Sequence, residues 1–331
     1  MKKRYESSAT NSDVIMYSKA VLMRNLAHVP YPIKMSDDIK RTVVKKAFAC
    51  IKNSPLAQEF DLINTSDISK AKALSYSEKD LISDGFAKQN SSFLLSKNED
   101  VCILINEEDH IKINSFASGQ NIEEAYNKAN DIDDIFIKGL HIAFSDKYGF
   151  LTSSPFNLGT GLNVSVVLHL PALASKGIMS KLSTTVSKLG FVLKEMYEGG
   201  AGDFYILTNT VTLGITEKNA VDNLNAVCNQ IVAQERSARE ALKENPSVED
   251  KIYRTLGILK LARKLSVEEF LNNISLVRLG ISLGYFEYSY ELIGDMIYNL
   301  FDATLVDSSK SDLTQSMCET LRAQIVREKL A

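Results

Sequence analysis

The chain has 331 residues, 45% of them apolar, which is enough material for a full core and about two domains. Its formal net charge of −3 lacks the basic excess that a nucleic-acid partner would require. No apolar run approaches the roughly 18 residues of a membrane span, and the basic opening of "MKKRYESSATNSD" has no apolar core behind it, so it does not read as a secretory signal.

Taken in chain order, "SDDIKRTVVKKAFACIKN" (36–53) predicts a helix, with Ser36 or Asp37 at its cap and acidic residues in its first turn. "SSFLLS" (91–96) and "VCILIN" (101–106), separated by the turn-like "KNED", predict an antiparallel hairpin. Residues 121–140 predict a helix, because Ile122, Ala125, Ala129, Ile132 and Phe136 recur at spacings of three and four. "VSVVLHL" (164–170) reads as a buried strand closed by Pro171, and "DFYILTNTVTLG" (203–214) as two further strand pieces. From Thr216 a long helix carries Val221, Leu224, Val227 or Cys228, and Ile231 on one stripe. "NPSVED" (245–250) stops and restarts it, with Ser247 and Asp250 as a capping box, and "SVEE" (266–269) is a second box. The resulting expectation is an α+β body over 1–240 and a helical C-terminal domain over 241–331.

Chemistry-bearing residues are sparse. Cys50, Cys102, Cys228 and Cys318 are scattered, which fits a reduced, cytoplasmic setting and leaves neither a zinc spacing nor a disulfide framework. The histidines at 28, 110, 141 and 169 have no metal-ligand spacing, and His169 reads as a core histidine. "NEEDHIKI" (106–113) puts Glu107, Glu108, Asp109 and His110 at a strand end. Strand alternation would send Glu108 and His110 together into a cleft, with Glu107 and Asp109 facing away. A solvated acidic turn is the commoner origin of such a cluster. "NLGTGLN" (157–163) has the glycines of a phosphate loop but not the lysine of a P-loop, so an ordinary tight loop explains it better. Ser153 and Ser154 lack a nucleophile elbow.

"NEEDHIKI", "GFLTSSPFNLGTGLNVSVVLHLPAL" (149–173), "ITEKNAVDNL" and "IYRTLGILKLAR" together resemble, in order, segments of the guanidino kinases, the bacterial protein-arginine kinases above all. "DVIMYSKAVLMRN" (13–25) is similar to the family's opening segment, D-I-V-I-S-S-R-I-R-L-A-R-N. The resemblance implies an antiparallel sheet flanked by helices, an all-helical C-terminal domain used for dimerisation, and ATP with Mg²⁺ as phosphoryl donor to a guanidinium nitrogen. It also implies arginines around the phosphates, because phosphoryl transfer is mainly positioning and charge neutralisation.

This chain departs at those positions. The five family arginines for phosphate correspond to Lys19, Val21, Lys112, Asn163 and Lys194, so three became lysine and two lost their charge. An ammonium lacks the bidentate fork of a guanidinium. The reactive cysteine of "LTSCPTN" is Ser154, which supplies no thiolate charge, and the threonine after the proline is Phe156. Glu108, the acid of "NEEDH", is retained, and Glu198 is the stand-in for a second acid beyond a shortened loop. In the C-terminal phosphoarginine motif R-D-x-x-R-A the chain reads Cys318, Glu319, Arg322 and Ala323, so half of the arginine fork is gone. Arg254 and Arg278 also persist, on apolar-patterned helices that make packing their expected role. Two functions follow as expectations. One is a pseudokinase working through protein binding, with an intact paralogue or an activating adaptor as partner, in a homo- or heterodimer. The other is an active protein-arginine kinase acting on protein substrates with a lysine-based phosphate site. Neither involves nucleic acid or membrane.

Overall fold

The computed structural model describes residues 4–331, so the basic cluster at Lys2 and Lys3 lies outside the described residues. In chain order the body contains β1 (Ile15–Arg24), α1 (Asp37–Lys52), β2 (Phe60–Asn64), α2 (Lys70–Glu78), α3 (Asp84–Ala87), β3 (Ser92–Ser96), β4 (Val101–Ile105), β5 (Ile111–Ser118) and α4 (Ile122–Gly139). It continues with β6 (Phe144–Ser145), β7 (Gly149–Phe150), β8 (Leu162–His169), α5 (Pro171–Ser175), α6 (Met179–Lys188), β9 (Phe191–Glu195), β10 (Phe204–Asn209) and α7 (Glu217–Lys243). The C-terminal helices are α8 (Pro246–Leu261), α9 (Val267–Leu283), α10 (Tyr290–Asn299), α11 (Asp302–Ser309) and α12 (Gln315–Leu330).

Eight strands form an antiparallel sheet in the order β2-β3-β4-β5-β1-β8-β10-β9. Its centre is β1, whose ten residues are all buried except Lys19. Both faces are covered, which is why the segment shows no clean polar alternation. On one face Ala20, Leu22, Ile113, Val164 and Val166 pack with α1, α4 and α7. On the other, Tyr17, Cys102, Leu104, Phe116 and Val167 share a core with the C-terminal helices, including Phe270, Ile293, Met296 and Leu330. The functional positions lie on this second face.

The predicted helical stripes are the buried ones in α4 and α7, and the predicted hairpin is β3–β4. Ser266 caps α9 by accepting from Glu269 N. Three expectations need correction. Segment 203–214 holds one strand, not two. The chain leaves the sheet at Asn209, whose amide donates to Leu162 O and Val211 O, and Thr212 turns back to donate to Phe156 O and Leu158 O. At the break between α7 and α8, Asn245, not Ser247, caps α8, accepting from Ser247 N with Pro246 in the first turn. Arg254 is neither core nor interface within this chain: its side chain is 77% exposed and pairs with Asp250 one turn back.

A polar junction ties the sheet to α7 and α9. His169 is fully buried, with Nε2 2.8 Å from Ser275 Oγ. Burial, reinforced by Arg278 and Arg239, pushes it well below the usual imidazole range. Buried Glu235 accepts from Ala172 N, Leu173 N and Arg239 Nε. Arg278, expected to pack, is buried over the Tyr290 ring and donates to Ser12 O.

Beside this junction, burial and then Glu235 raise Asp203 to about 6. The folded chain thus keeps a proton that the unfolded chain releases in the usual carboxylate range. That proton stabilises the fold at low pH, and its contribution is lost as pH rises through about 6. Asp203→Asn is neutral throughout and suits the left-handed backbone there, φ 55°. It is expected to be more stable than wild type above pH 6, by about 1 kcal/mol after discounting for solvent screening. The difference should fade toward pH 4. Melting temperatures of both proteins across pH 4–8 check this, and equal values at pH 8 would contradict it.

Candidate functional site: a concave pocket on the sheet face

Strand pairing sets the site. Lys19 and Val21, two apart on β1, share a face. Val21 lies opposite Asn163 of β8, and Met23 lies opposite Lys112 of β5. Val167 of β8 lies opposite Ile206 of β10, which lies opposite Lys194 of β9. All five positions therefore fall on one face across five adjacent strands. Lys19, Val21, Asn163 and Lys194 line a concave pocket of about 440 Å³, together with Tyr17, Asp80, Phe156 and Thr208. Lys112 is not among its lining residues.

Two of the three lysines on this face are paired with carboxylates. Lys19 Nζ sits 2.9 Å from Asp80 Oδ1 and donates to Asp80 O at 3.3 Å, while Tyr17 OH donates to Asp80 Oδ2 at 3.1 Å. Burial opposes the ionised form of Asp80, but Lys19, Arg4 and the Tyr17 hydroxyl outweigh it and hold the carboxyl below its usual range. Burial lowers Lys19, against the pull of Asp80. Lys112 Nζ is 2.6 Å from Glu107 Oε2, whose other oxygen accepts from Ser83 Oγ. Asn163 donates to Asn157 Oδ1 at 3.2 Å. Among the described residues, Lys194 has no ion-pair partner and is exposed.

The "NEEDH" cluster does not alternate as a strand would. Residues 106–110 form a turn entered through Asn106 at φ 60°. Asp109 and His110 are both buried, whereas Glu108 is exposed and Glu107 is half-buried on Lys112. Glu108 and His110 therefore do not converge on a cleft. His110 accepts from Leu26 N at Nδ1 and bonds Pro30 O through Nε2 at 2.8 Å. Burial lowers its pKa despite Pro30 O and Asp109. Asp109 Oδ1 accepts from Asn25 Nδ2 at 2.5 Å and from Ser153 N at 2.7 Å, and Ser153 Oγ donates to Glu108 O. Asp109 thus holds the Ser153–Ser154 loop beside the Glu108 turn, while His110 anchors that turn to the 25–30 segment. Ser154 is half-buried, its carbonyl accepting from Thr152 Oγ1. Phe156 follows it at the pocket rim, 82% exposed.

Two of the polar residues that persist in the opening segment, Arg24 and Asn25, are structural. Arg24 is buried against Asp133 at 2.6 Å and stacks on the Phe150 ring at 3.5 Å, and Asn25 anchors the Asp109 turn. Glu198 is exposed at the start of the 3₁₀ turn Glu198–Asp203 and does not line the pocket. That turn is pinned to α9, because Gly202 N donates to Asn272 Oδ1.

In the C-terminal motif, Cys318 is buried and Glu319 is half-buried with its carbonyl accepting from Leu265 N. Arg322 is not a half-fork open to phosphate. It is fully buried, donating from Nε to Leu300 O at 2.6 Å, from Nη1 to Leu265 O at 2.7 Å, and from Nη2 to Asp302 Oδ1. Asp80, the pocket's acid, was missed in the sequence because its partner lies 61 residues away and no local pattern marks the pairing.

Residues 41–238 match the family profile described as ATP:guanido phosphotransferase, C-terminal catalytic domain, and residues 245–331 match that of the protein-arginine kinase McsB C-terminal domain. The protein-arginine kinase of Clostridium novyi is 36% identical over 97% of this chain and 96% of its own length. The chain belongs to the protein-arginine kinase family. The protein-arginine kinase of Clostridium acetobutylicum is 35% identical over the full length of both chains. Solved structures give the same sheet architecture. Lombricine kinase aligns at a TM-score of 0.61 and 16% identity, over 72% of this chain and 70% of its own. The duplicated taurocyamine kinase of Schistosoma mansoni aligns at 0.60 and 21%, over 71% of this chain and 36% of its own. The departures at positions 19, 21, 112, 163 and 194 therefore stand within a fold shared with phosphagen kinases.

Proposed function

We propose that this protein-arginine kinase family member is a catalytically degraded pseudokinase that acts through protein binding in arginine phosphorylation and protein quality control. One observation carries the reading. Of the five positions implied to hold ATP phosphates, two are the uncharged Val21 and Asn163, and two of the three lysines are held by Asp80 and Glu107. The residues present do not fit a triphosphate with Mg²⁺. A charge-assisted hydrogen bond contributes about 1.5–3 kcal/mol, so two lost contacts weaken the clamp by roughly 3–6 kcal/mol, or about 10²–10⁴ in rate. Ser154 adds no thiolate charge beside a guanidinium. Its partners in this reading are an intact kinase paralogue or an activating adaptor, in a cytoplasmic homo- or heterodimer.

The alternative, an active ATP-dependent protein-arginine kinase with a lysine-based site, is favoured by the exposed Lys194 and by the gathering of four of the five positions in one pocket. Titration calorimetry with MgATP, followed by single-turnover phosphorylation of an arginine-rich protein, separates the two. The expected result is no tight binding and no phosphoarginine. Tight MgATP binding with phosphoarginine formed would establish the alternative.

A further inference from the structure

We propose that Asp80 is a resident counter-ion of the pocket: it holds Lys19 and excludes phosphate-bearing anions that Lys19 and Lys194 would otherwise attract. The proposal deepens the degraded-site reading and rests on it for the identity of the pocket.

The geometry is specific. Asp80 lines the pocket with its side chain 37% exposed, so its carboxylate faces the space an anion would enter. It engages Lys19 through both its carboxylate and its carbonyl, and the lysine ammonium lies over the Phe116 ring at 5.1 Å. Tyr17 OH holds the second carboxylate oxygen. The backbone at Asp80 is left-handed, φ 56°, and its neighbours lock it from two sides. Glu78 accepts from Ala303 N, Thr304 N and Thr304 Oγ1 at the start of α11. On the other side, Asn114 on the pocket face donates to Leu81 O. The carboxylate is therefore presented by a fixed turn braced against the C-terminal helices. An anion reaching Lys19 must displace Asp80 or share the site with its like charge, and either outcome lowers affinity.

The test uses the full chain and its Asp80→Asn variant, titrated by calorimetry with inorganic tripolyphosphate and with MgATP at low salt. Asparagine suits the left-handed backbone, its Oδ1 still accepts from Lys19, and its Nδ2 donates to the Tyr17 hydroxyl, which turns from donor to acceptor, so the fold is retained. Asp80→Asn is expected to bind tripolyphosphate at least about tenfold tighter than wild type, with the gain shrinking at high salt. The double variant Asp80→Asn/Lys19→Gln should lose that gain. Equal affinity of wild type and Asp80→Asn, both folded by circular dichroism, would overturn the proposal, as would a gain that survives in the double variant. Tight MgATP binding and phosphoarginine formation by wild type would instead sink the degraded-kinase reading, while the ratio between Asp80→Asn and wild type still decides the role of Asp80.

Discussion

Replacing Arg322 with alanine is expected to cost the C-terminal helices most of their stability. The guanidinium is fully buried and satisfies Leu300 O, Leu265 O and Asp302 at once, tying α12 to the segments before α9 and α11. Truncation leaves two buried carbonyls without a donor, at about 1–3 kcal/mol each, and opens a cavity the size of a long side chain. A total of about 3–5 kcal/mol is a large part of the 5–15 kcal/mol that typically holds a domain together. Arg322→Lys should fall between alanine and wild type, because one ammonium cannot span acceptors laid out for a planar fork. Urea unfolding followed by circular dichroism measures both variants. If Arg322→Ala unfolded like wild type but lost affinity for a phosphoarginine peptide, Arg322 would be a ligand-binding residue and the structural reading would be wrong.

The double variant Val21→Arg/Asn163→Arg should show the largest gain of anion binding. These residues are direct partners across β1 and β8 on the pocket face, and side chains so placed have Cβ atoms about 4.5–5.5 Å apart. Two guanidinium groups there repel each other until an anion bridges them. Without ligand, the variant should therefore melt a few degrees below wild type. Tripolyphosphate should reverse the loss, with affinity rising roughly 10²–10⁴-fold if each arginine makes one charge-assisted contact of about 1.5–3 kcal/mol. Adding arginine at 19, 112 and 194 should strengthen nucleotide binding further, before any turnover, because Ser154 still supplies no thiolate. A folded variant without anion binding would place the phosphate site elsewhere or show damage beyond these positions, and the turn at Glu198 would be the first segment to probe.

Local periodicity made part of this fold legible. The stripes of α4 and α7 and the hairpin β3–β4 depend on neighbours three, four or two residues apart, which is the range that helix and strand geometry imposes. β1 escaped that reading because a strand covered on both faces shows no apolar–polar alternation. The "NEEDH" residues were legible as a polar cluster but not as a fold element: buried His110 and Asp109 serve backbone groups of the 25–30 and 153 segments, contacts that strand alternation does not encode. Arg322 looks in sequence like the survivor of a phosphate site, yet it is enclosed by carbonyls and an aspartate from other segments.

By itself the sequence determined the family, the antiparallel sheet with its helical C-terminal part, and that lysine, valine or asparagine stands at positions 19, 21, 112, 163 and 194. Only the tertiary structure decided which remaining charges are free to meet a ligand. Lys19 and Asp80 are 61 residues apart in the chain and 2.9 Å apart in space. A charge acts on its surroundings through distance and dielectric, and folding sets both.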